Sequence, residues 1–150
     1  TGIHIEMLQE AGEYVAYGTH STGSHSVSNT IAGTGTSVIT ISQAADANYN
    51  AATTSYTVTV TKADPNLSSI ADITKTYGDP DDTVTNTLSG TTAIQYTSSD
   101  QSVVQIASTS VGTGSQSATL TFTGAGTATV TAALAESENY NAATVSFTVT

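Results

Sequence analysis

The chain has 150 residues, with 12 Asp+Glu against 2 Lys+Arg, no cysteine and a formal net charge of −10. Nucleic acid and anionic membrane surfaces are excluded as partners, because neutralising phosphates and releasing their counterions takes several cations. Disulfides, thiol catalysis and Cys-based zinc sites are excluded as well, and no apolar run approaches the ~18–20 residues of a membrane helix.

Thr and Ser supply about a third of the residues and alternate with Val, Ile and Ala. That composition belongs to strands, since disordered segments carry high charge and few β-branched residues. No stretch sustains helical spacing beyond two turns, and 5–11 (Ile5, Met7, Leu8, Ala11) comes nearest. Strands are predicted over 37–41 and 55–60, where Tyr56, Val58 and Val60 face one way and Ser55, Thr57 and Thr59 the other. Thr61-Lys62-Ala63-Asp64-Pro65-Asn66 then reads as a short joint stiffened by its proline. Beyond it, strands are predicted over 84–88, 93–97, 103–107, 118–122, 127–134 and 145–149. In the last two the inward residues are Ala128, Val130, Ala132 and Leu134, then Val145, Phe147 and Val149. Gly78-Asp79-Pro80, Ser89-Gly90, Ser98-Ser99-Asp100, Gly112-Thr113-Gly114 and Gly124-Ala125-Gly126 supply the turns between them.

A repeat organises these elements. Asn48-Tyr49-Asn50-Ala51-Ala52-Thr53 recurs as Asn139-Tyr140-Asn141-Ala142-Ala143-Thr144, 91 residues later. The same ungapped shift lays Gly33-x-Gly35-Thr36 on Gly124-x-Gly126-Thr127, and Ser55-x-Thr57-Val58-Thr59 on Ser146-x-Thr148-Val149-Thr150. It also lays Thr22-Gly23-Ser24-x-Ser26 on Thr113-Gly114-Ser115-x-Ser117. A fixed period of this size marks an array of like domains. The expected division is a partial repeat over 1–61, a linker over 62–66 and a complete repeat over 67–150. The first copy lacks a counterpart of the segment from Pro65 to about Thr91. Its missing strands belong either to the preceding chain or to a neighbouring molecule.

Six or seven short antiparallel strands per ~85–90 residues predict an all-β fold. It is expected as tandem immunoglobulin-like β-sandwich domains, the first without its leading strands. A resemblance supports this. Lys75-Thr76-Tyr77-Gly78-Asp79, Tyr96-Thr97-Ser98-Ser99-Asp100-Gln101-Ser102-Val103-Val104, Gly124-Ala125-Gly126-Thr127-Ala128-Thr129-Val130-Thr131 and Asn139-Tyr140-Asn141-Ala142-Ala143, in that order, resemble the bacterial immunoglobulin-like (Big/MBG-type) repeats. Those repeats recur in large bacterial surface proteins and adhesins. The resemblance implies a sandwich fold and an extracellular or cell-surface location, with the module used mainly as a spacer. It covers most of the second copy and the first from about Thr22.

Few residues stand out as chemical candidates. Tyr49 and Tyr140 precede the last strand of each copy, where a tyrosine packs on the core and bonds a backbone group across the loop. Gly35 and Gly126 are structural turn residues, and Gly33-x-Gly35 precedes a strand rather than a helix, so no nucleotide loop is read. Asp79, Asp81 and Asp82, with Asp64 and Asp72, are calcium candidates, since loop carboxylates and carbonyls can supply the oxygens a hard cation needs. The opposing reading is solvated turn carboxylates, and no other cofactor is expected. Glu6, Glu10 and Glu13 show no paired-carboxylate geometry. His4, His20 and His25 lack metal spacing, and His25 aligns with Gln116. Lys75 with Asn139 or Asn141, assisted by Glu136 or Glu138, is a candidate for a Lys–Asn amide cross-link.

The functional expectation is a non-enzymatic structural module of a fibre, stalk, adhesin or surface coat. Its partners would be adjacent repeats or neighbouring copies joined by strand addition. Two alternatives stand beside it. One is a module binding carbohydrate or another cell surface through Tyr14, Tyr17, Tyr77 or Tyr96, and the other is an accessory domain of an exported hydrolase. Neither nucleic-acid binding nor membrane insertion is expected.

Overall fold

Alternation of side-chain character becomes alternation of burial: Val84, Asn86 and Leu88 are buried while Thr83, Thr85 and Thr87 between them are exposed. The computed structural model describes residues 28–150 together with the backbone of Ile3–Leu8. The strands are β1 (Ile3–Leu8), β2 (Gly35–Gln43), β3 (Ala52–Val60), β4 (Asp82–Thr87), β5 (Ile94–Ser98), β6 (Val104–Val111), β7 (Ser115–Phe122), β8 (Ala128–Leu134) and β9 (Ala143–Val149). There is no helix among the described residues. The residues at 5–8, which came nearest to helical spacing, are instead part of a strand. The remaining sites named on 9–27, including Glu10, Glu13, Tyr14, Tyr17, His20 and His25, lie outside the described residues, as do the side chains of His4 and Glu6.

The chain divides into two compact units, Thr1–Lys62 and Ala63–Thr150. In the second, a sheet of order β4-β7-β6 packs on a sheet of order β5-β8-β9, every pairing antiparallel. Val84, Leu120 and Val104 from one sheet and Ile94, Val130 and Phe147 from the other share a single core. Each large apolar side chain buried there contributes about 1.5–3 kcal/mol. The segment that leads this unit, residues 63–77, bonds first to β4, through Ser68 N–H to Thr87 O at 2.9 Å, and then runs parallel to β9 through Ile73. With that segment counted as the first strand, the division is one, two, five and four against three, six and seven. This is the immunoglobulin sandwich arrangement.

Residues at the start of this unit are tied down. Ala63 forms a parallel bridge with Tyr140, Asp64 Oδ1 accepts from Asn66 N–H at 2.7 Å, and Pro65 is fully buried. Asn66 takes a left-handed φ of 51°, which asparagine tolerates better than most residues.

Among the described residues the first unit contains one sheet, of order β1-β2-β3. Ile3 pairs with Gln43 and Met7 with Ile39; 91 residues on, Ile94 pairs with Leu134 and Ser98 with Val130. Likewise Ser37 pairs with Val58 and Gln43 with Ala52, against Ala128 with Val149 and Leu134 with Ala143. One shift therefore superposes both strand pairings in register. Because a slip of one residue would turn every side chain to the opposite face, the sheet β1-β2-β3 is the counterpart of β5-β8-β9.

Candidate functional site

Among the described residues the two equivalent sheets differ in the sheet that packs on them, present only in the second unit, and at the outer edge of the last strand. In the second unit that edge is occupied. Ile73 N–H donates to Thr148 O at 2.8 Å, Thr150 N–H to Ile73 O at 2.9 Å and Lys75 N–H to Thr150 O at 2.8 Å. Thr148 N–H donates to Asp72 Oδ1 at 2.7 Å. Before β9, Ala63 N–H donates to Asn139 O and Asn141 N–H to Ala63 O, both at 2.9 Å.

The equivalents of Asn139, Asn141, Thr148 and Thr150 in the first unit are Asn48, Asn50, Thr57 and Thr59, identical in type at all four positions. Among the described residues no segment lies along that edge of β3. Side chains of β3 and the loop before it are also more open than their counterparts, two of which, Phe147 and Val149, lie in the core between the sheets of the second unit. Tyr56 is 40% exposed where its counterpart Phe147 is 3% exposed. Val58 is half-buried where Val149 is buried, and Tyr49 is 69% exposed where Tyr140 is half-buried. Tyr56 Oη accepts from Asn29 Nδ2 at 3.0 Å.

Inside the second unit lies a polar network that alternation alone did not reveal. Asn86 on β4 and Gln116 on β7 are buried. Asn86 Nδ2 donates to Ser68 O at 2.6 Å, and Asn86 Oδ1 accepts from Tyr96 Oη at 2.8 Å. The Tyr96 hydroxyl also reaches Gln116 O at 3.2 Å. Gln116 Oε1 accepts from Ile94 N–H at 2.7 Å, and its Nε2 donates to Thr92 O at 2.7 Å. The leading segment, β4, β5 and β7 are thus linked through satisfied groups, the condition under which a buried polar cluster specifies a fold rather than weakening it. Burial pushes the Tyr96 hydroxyl above its ordinary pKa of 10.0. Tyr96, named above as an exposed stacking residue, is a core residue at 9% exposure.

The calcium candidates are not gathered into one cage. Asp64 and Asp72 accept the backbone N–H groups described above. Asp79 Oδ2 accepts Thr76 N–H at 2.8 Å, and Asp82 Oδ1 accepts Thr83 N–H at 2.9 Å. Asp82 Oδ2 also pairs with Lys75 Nζ at 3.1 Å. The Lys75 hydrogen bond, followed by that from Thr83 and the lysine charge, outweighs desolvation and holds the Asp82 carboxyl below its usual range. Asp81 is exposed. Among the described residues no three His, Asp or Glu side chains are placed to hold a metal ion.

Lys75 does not meet the asparagines proposed for a cross-link. Its backbone bonds Thr150, beyond one end of β9, whereas Asn139 and Asn141 precede the other end. Its ammonium sits 5.4 Å above the Phe122 ring. There it borders a groove of about 280 Å³ lined by Tyr77, Phe122 and the Gly124-Ala125-Gly126 turn. Tyr77 is 73% exposed beside it.

The structural residues named from sequence are placed as follows. The Tyr140 ring rests on Gly90, where an added Cβ would lie 3.1 Å from Cε2. Around Tyr49, Asp46 Oδ1 accepts the N–H groups of Asn48 and Tyr49 at 2.8 and 2.9 Å. Gly35 and Gly126 share positive φ values of 140° and 149°. No segment of the described residues is a helix long and apolar enough to cross a membrane.

No protein-family model and no curated protein matches the chain, so the resemblance to bacterial immunoglobulin-like repeats stands on its motifs alone. Solved structures of the S-layer protein SbsC are similar at a TM-score of 0.39. The six-domain structure is 19% identical over 77% of this chain, and domains 4 and 5 of SbsC are 21% identical over 77% of it. The structure of SbsC residues 31–844 is 20% identical over 78% of this chain. The chain spans 16% of that structure and of the six-domain one, and 58% of the two-domain one.

Proposed function

We propose that the chain is a non-enzymatic structural repeat module of an extracellular fibre, stalk, adhesin or surface coat, assembling through its sheet edges. The observation that carries this reading is the single 91-residue shift that reproduces both strand registers. A sequence that preserves register while letting side chains drift is maintaining a scaffold. Its mechanism is mechanical: cross-strand ladders and a cross-sheet polar network hold shape, and an acidic, lysine-poor surface keeps copies soluble and resists trypsin-like proteolysis.

The test is accessibility on cells producing the parent protein. Antibody to this chain should label intact cells, and surface shaving by a non-tryptic protease should remove the label. Labelling only after lysis contradicts the reading.

One observation favours a second reading, a carbohydrate-binding module: exposed Tyr77 beside the groove of Lys75 and Phe122 offers a stacking face next to hydrogen-bonding groups. Retention on a glycan array, lost on Tyr77→Ala, would establish it. The same site would serve if the chain is an accessory domain of an exported hydrolase.

A further inference from the structure

We propose that the leading segment 63–77 and β9 form a tension clamp, in which a pull applied between Lys62 and Thr150 loads their hydrogen bonds in shear. This adds a load-bearing function to the structural-module reading, on which it rests, because a module is pulled along its chain only within an array or fibre.

Direction decides how a pair of strands fails. The strand pairings of the second unit are antiparallel, whereas the leading segment meets β9 in parallel, at Ala63 with Tyr140 and at Ile73 with Val149. Force enters the segment at Ala63 and leaves β9 at Thr150, so it arrives at opposite ends of the parallel pair. Pulling those ends apart slides one strand along the other, and every bond between the two shares the load. Antiparallel partners loaded at adjacent ends open instead one pair at a time.

Both ends of the pair are fastened. Ala63 N–H donates to Asn139 O and Asn141 N–H to Ala63 O at one end, while Ile73, Lys75, Thr148 and Thr150 interlock at the other. There the Asp72 carboxylate accepts Thr148 N–H at 2.7 Å, and an ionised acceptor makes the stronger bond. Between the two ends the segment is held by the opposite sheet. Ser89 N–H donates to Pro65 O at 2.6 Å, Asn86 Nδ2 to Ser68 O at 2.6 Å and Thr87 N–H to Ser68 Oγ at 2.8 Å. Asn86 and Pro65 are fully buried, and Leu67, Ile70 and Ile73 pack on the core. The segment therefore cannot slip along β9 without leaving β4, dragging apolar side chains from the core and stranding Asn86 where no water replaces its partner.

The experiment is single-molecule force spectroscopy of the whole chain, in which two introduced thiols set the pulling axis because no native cysteine competes. Handles on Thr61→Cys and Thr150→Cys load the clamp in shear. Handles on Thr127→Cys and Thr150→Cys load adjacent ends of the antiparallel β8–β9 pair, where Ala128 faces Val149, and peel it. Forced unfolding follows the barrier along the axis rather than the equilibrium stability, so the first axis should rupture at severalfold higher force. Ile73→Pro, which cannot donate to Thr148 O, should lower the force on that axis. The proposal is overturned if the two axes rupture at equal force, or if residues 63–77 pull free in a separate low-force step before the sheets part. It is also overturned if Ile73→Pro ruptures on the first axis at the wild-type force. Any of these failures leaves the labelling of intact cells, and so the structural-module reading, unaffected.

Discussion

The Tyr96 hydroxyl donates to Asn86 Oδ1 at 2.8 Å, joining β5 of one sheet to β4 of the other inside the sandwich. Asn86 is fully buried and Tyr96 only 9% exposed, so Asn86 cannot replace its partner with solvent. Tyr96→Phe removes the donor and leaves the Asn86 acceptor buried and unmatched, a cost of about 1–3 kcal/mol. Urea unfolding should show a lowered midpoint with an unchanged slope. An unchanged midpoint would mean the network contributes nothing to stability.

The same hydroxyl sets an alkaline limit. Its pKa is raised in the folded state by burial above the ordinary 10.0, so the protein favours the neutral form. The contribution is fully present below pH 10.0 and is lost as pH rises through the folded-state value. Thermal melts of the wild type should therefore fall off more steeply above that pH than melts of Tyr96→Phe. At the acid end the sign reverses: the Asp82 pKa is depressed below 3.8, so its contribution holds above that pH and fades as pH falls through the folded value. Because this pair is partly exposed, Lys75 at 25% and Asp82 at 42%, solvent screens it and Lys75→Met should cost no more than about 1 kcal/mol.

Gly126 has φ 149°, and an added Cβ would lie 2.8 Å from Val103 Cγ2. Gly126→Ala therefore strains the backbone and displaces a core residue, and should destabilise by about 1–3 kcal/mol. Calorimetry of the variant checks this.

Tyr56 and Phe147 occupy one position of the repeat in opposite states of burial. Phe147→Ala should cost about 3–5 kcal/mol, as for other buried aromatics. Tyr56→Ala, at a partly solvated site, should cost less than half as much. Equal losses at the two positions would show that β3 is covered in solution.

Strands β2 to β9 were legible because polar residues, Thr above all, alternate with apolar ones, and burial follows that alternation in β4, β5, β7 and β8. β1 was not. Ile5, Met7 and Leu8 fit helical and strand periods alike over so short a run, and only Ile3 matches its counterpart Ile94 across the shift. The polar network left a signal that went unread. Asn86 lies between Val84 and Leu88, and Gln116 leads Ala118 and Leu120, each on the inward phase of its strand where an apolar residue is the rule. Tyr96 misled in the opposite direction: as an aromatic among Thr and Ser it suggested a surface stacking residue, yet its phase with Ile94 turns it inward. The covered edge of β9 depends on residues about 75 positions away along the chain, a separation that no local pattern encodes.

The central claim is that both units are one repeat in one strand register, and the cysteine-free chain allows a clean cross-linking test. His4 lies opposite Ser42, as Gln95 lies opposite Ala133. A His4→Cys/Ser42→Cys variant should oxidise to an intramolecular disulfide as readily as Gln95→Cys/Ala133→Cys, while the slipped pair His4→Cys/Ile41→Cys should not. Closure of the slipped pair, or of neither pair in the first unit, would contradict the shared register.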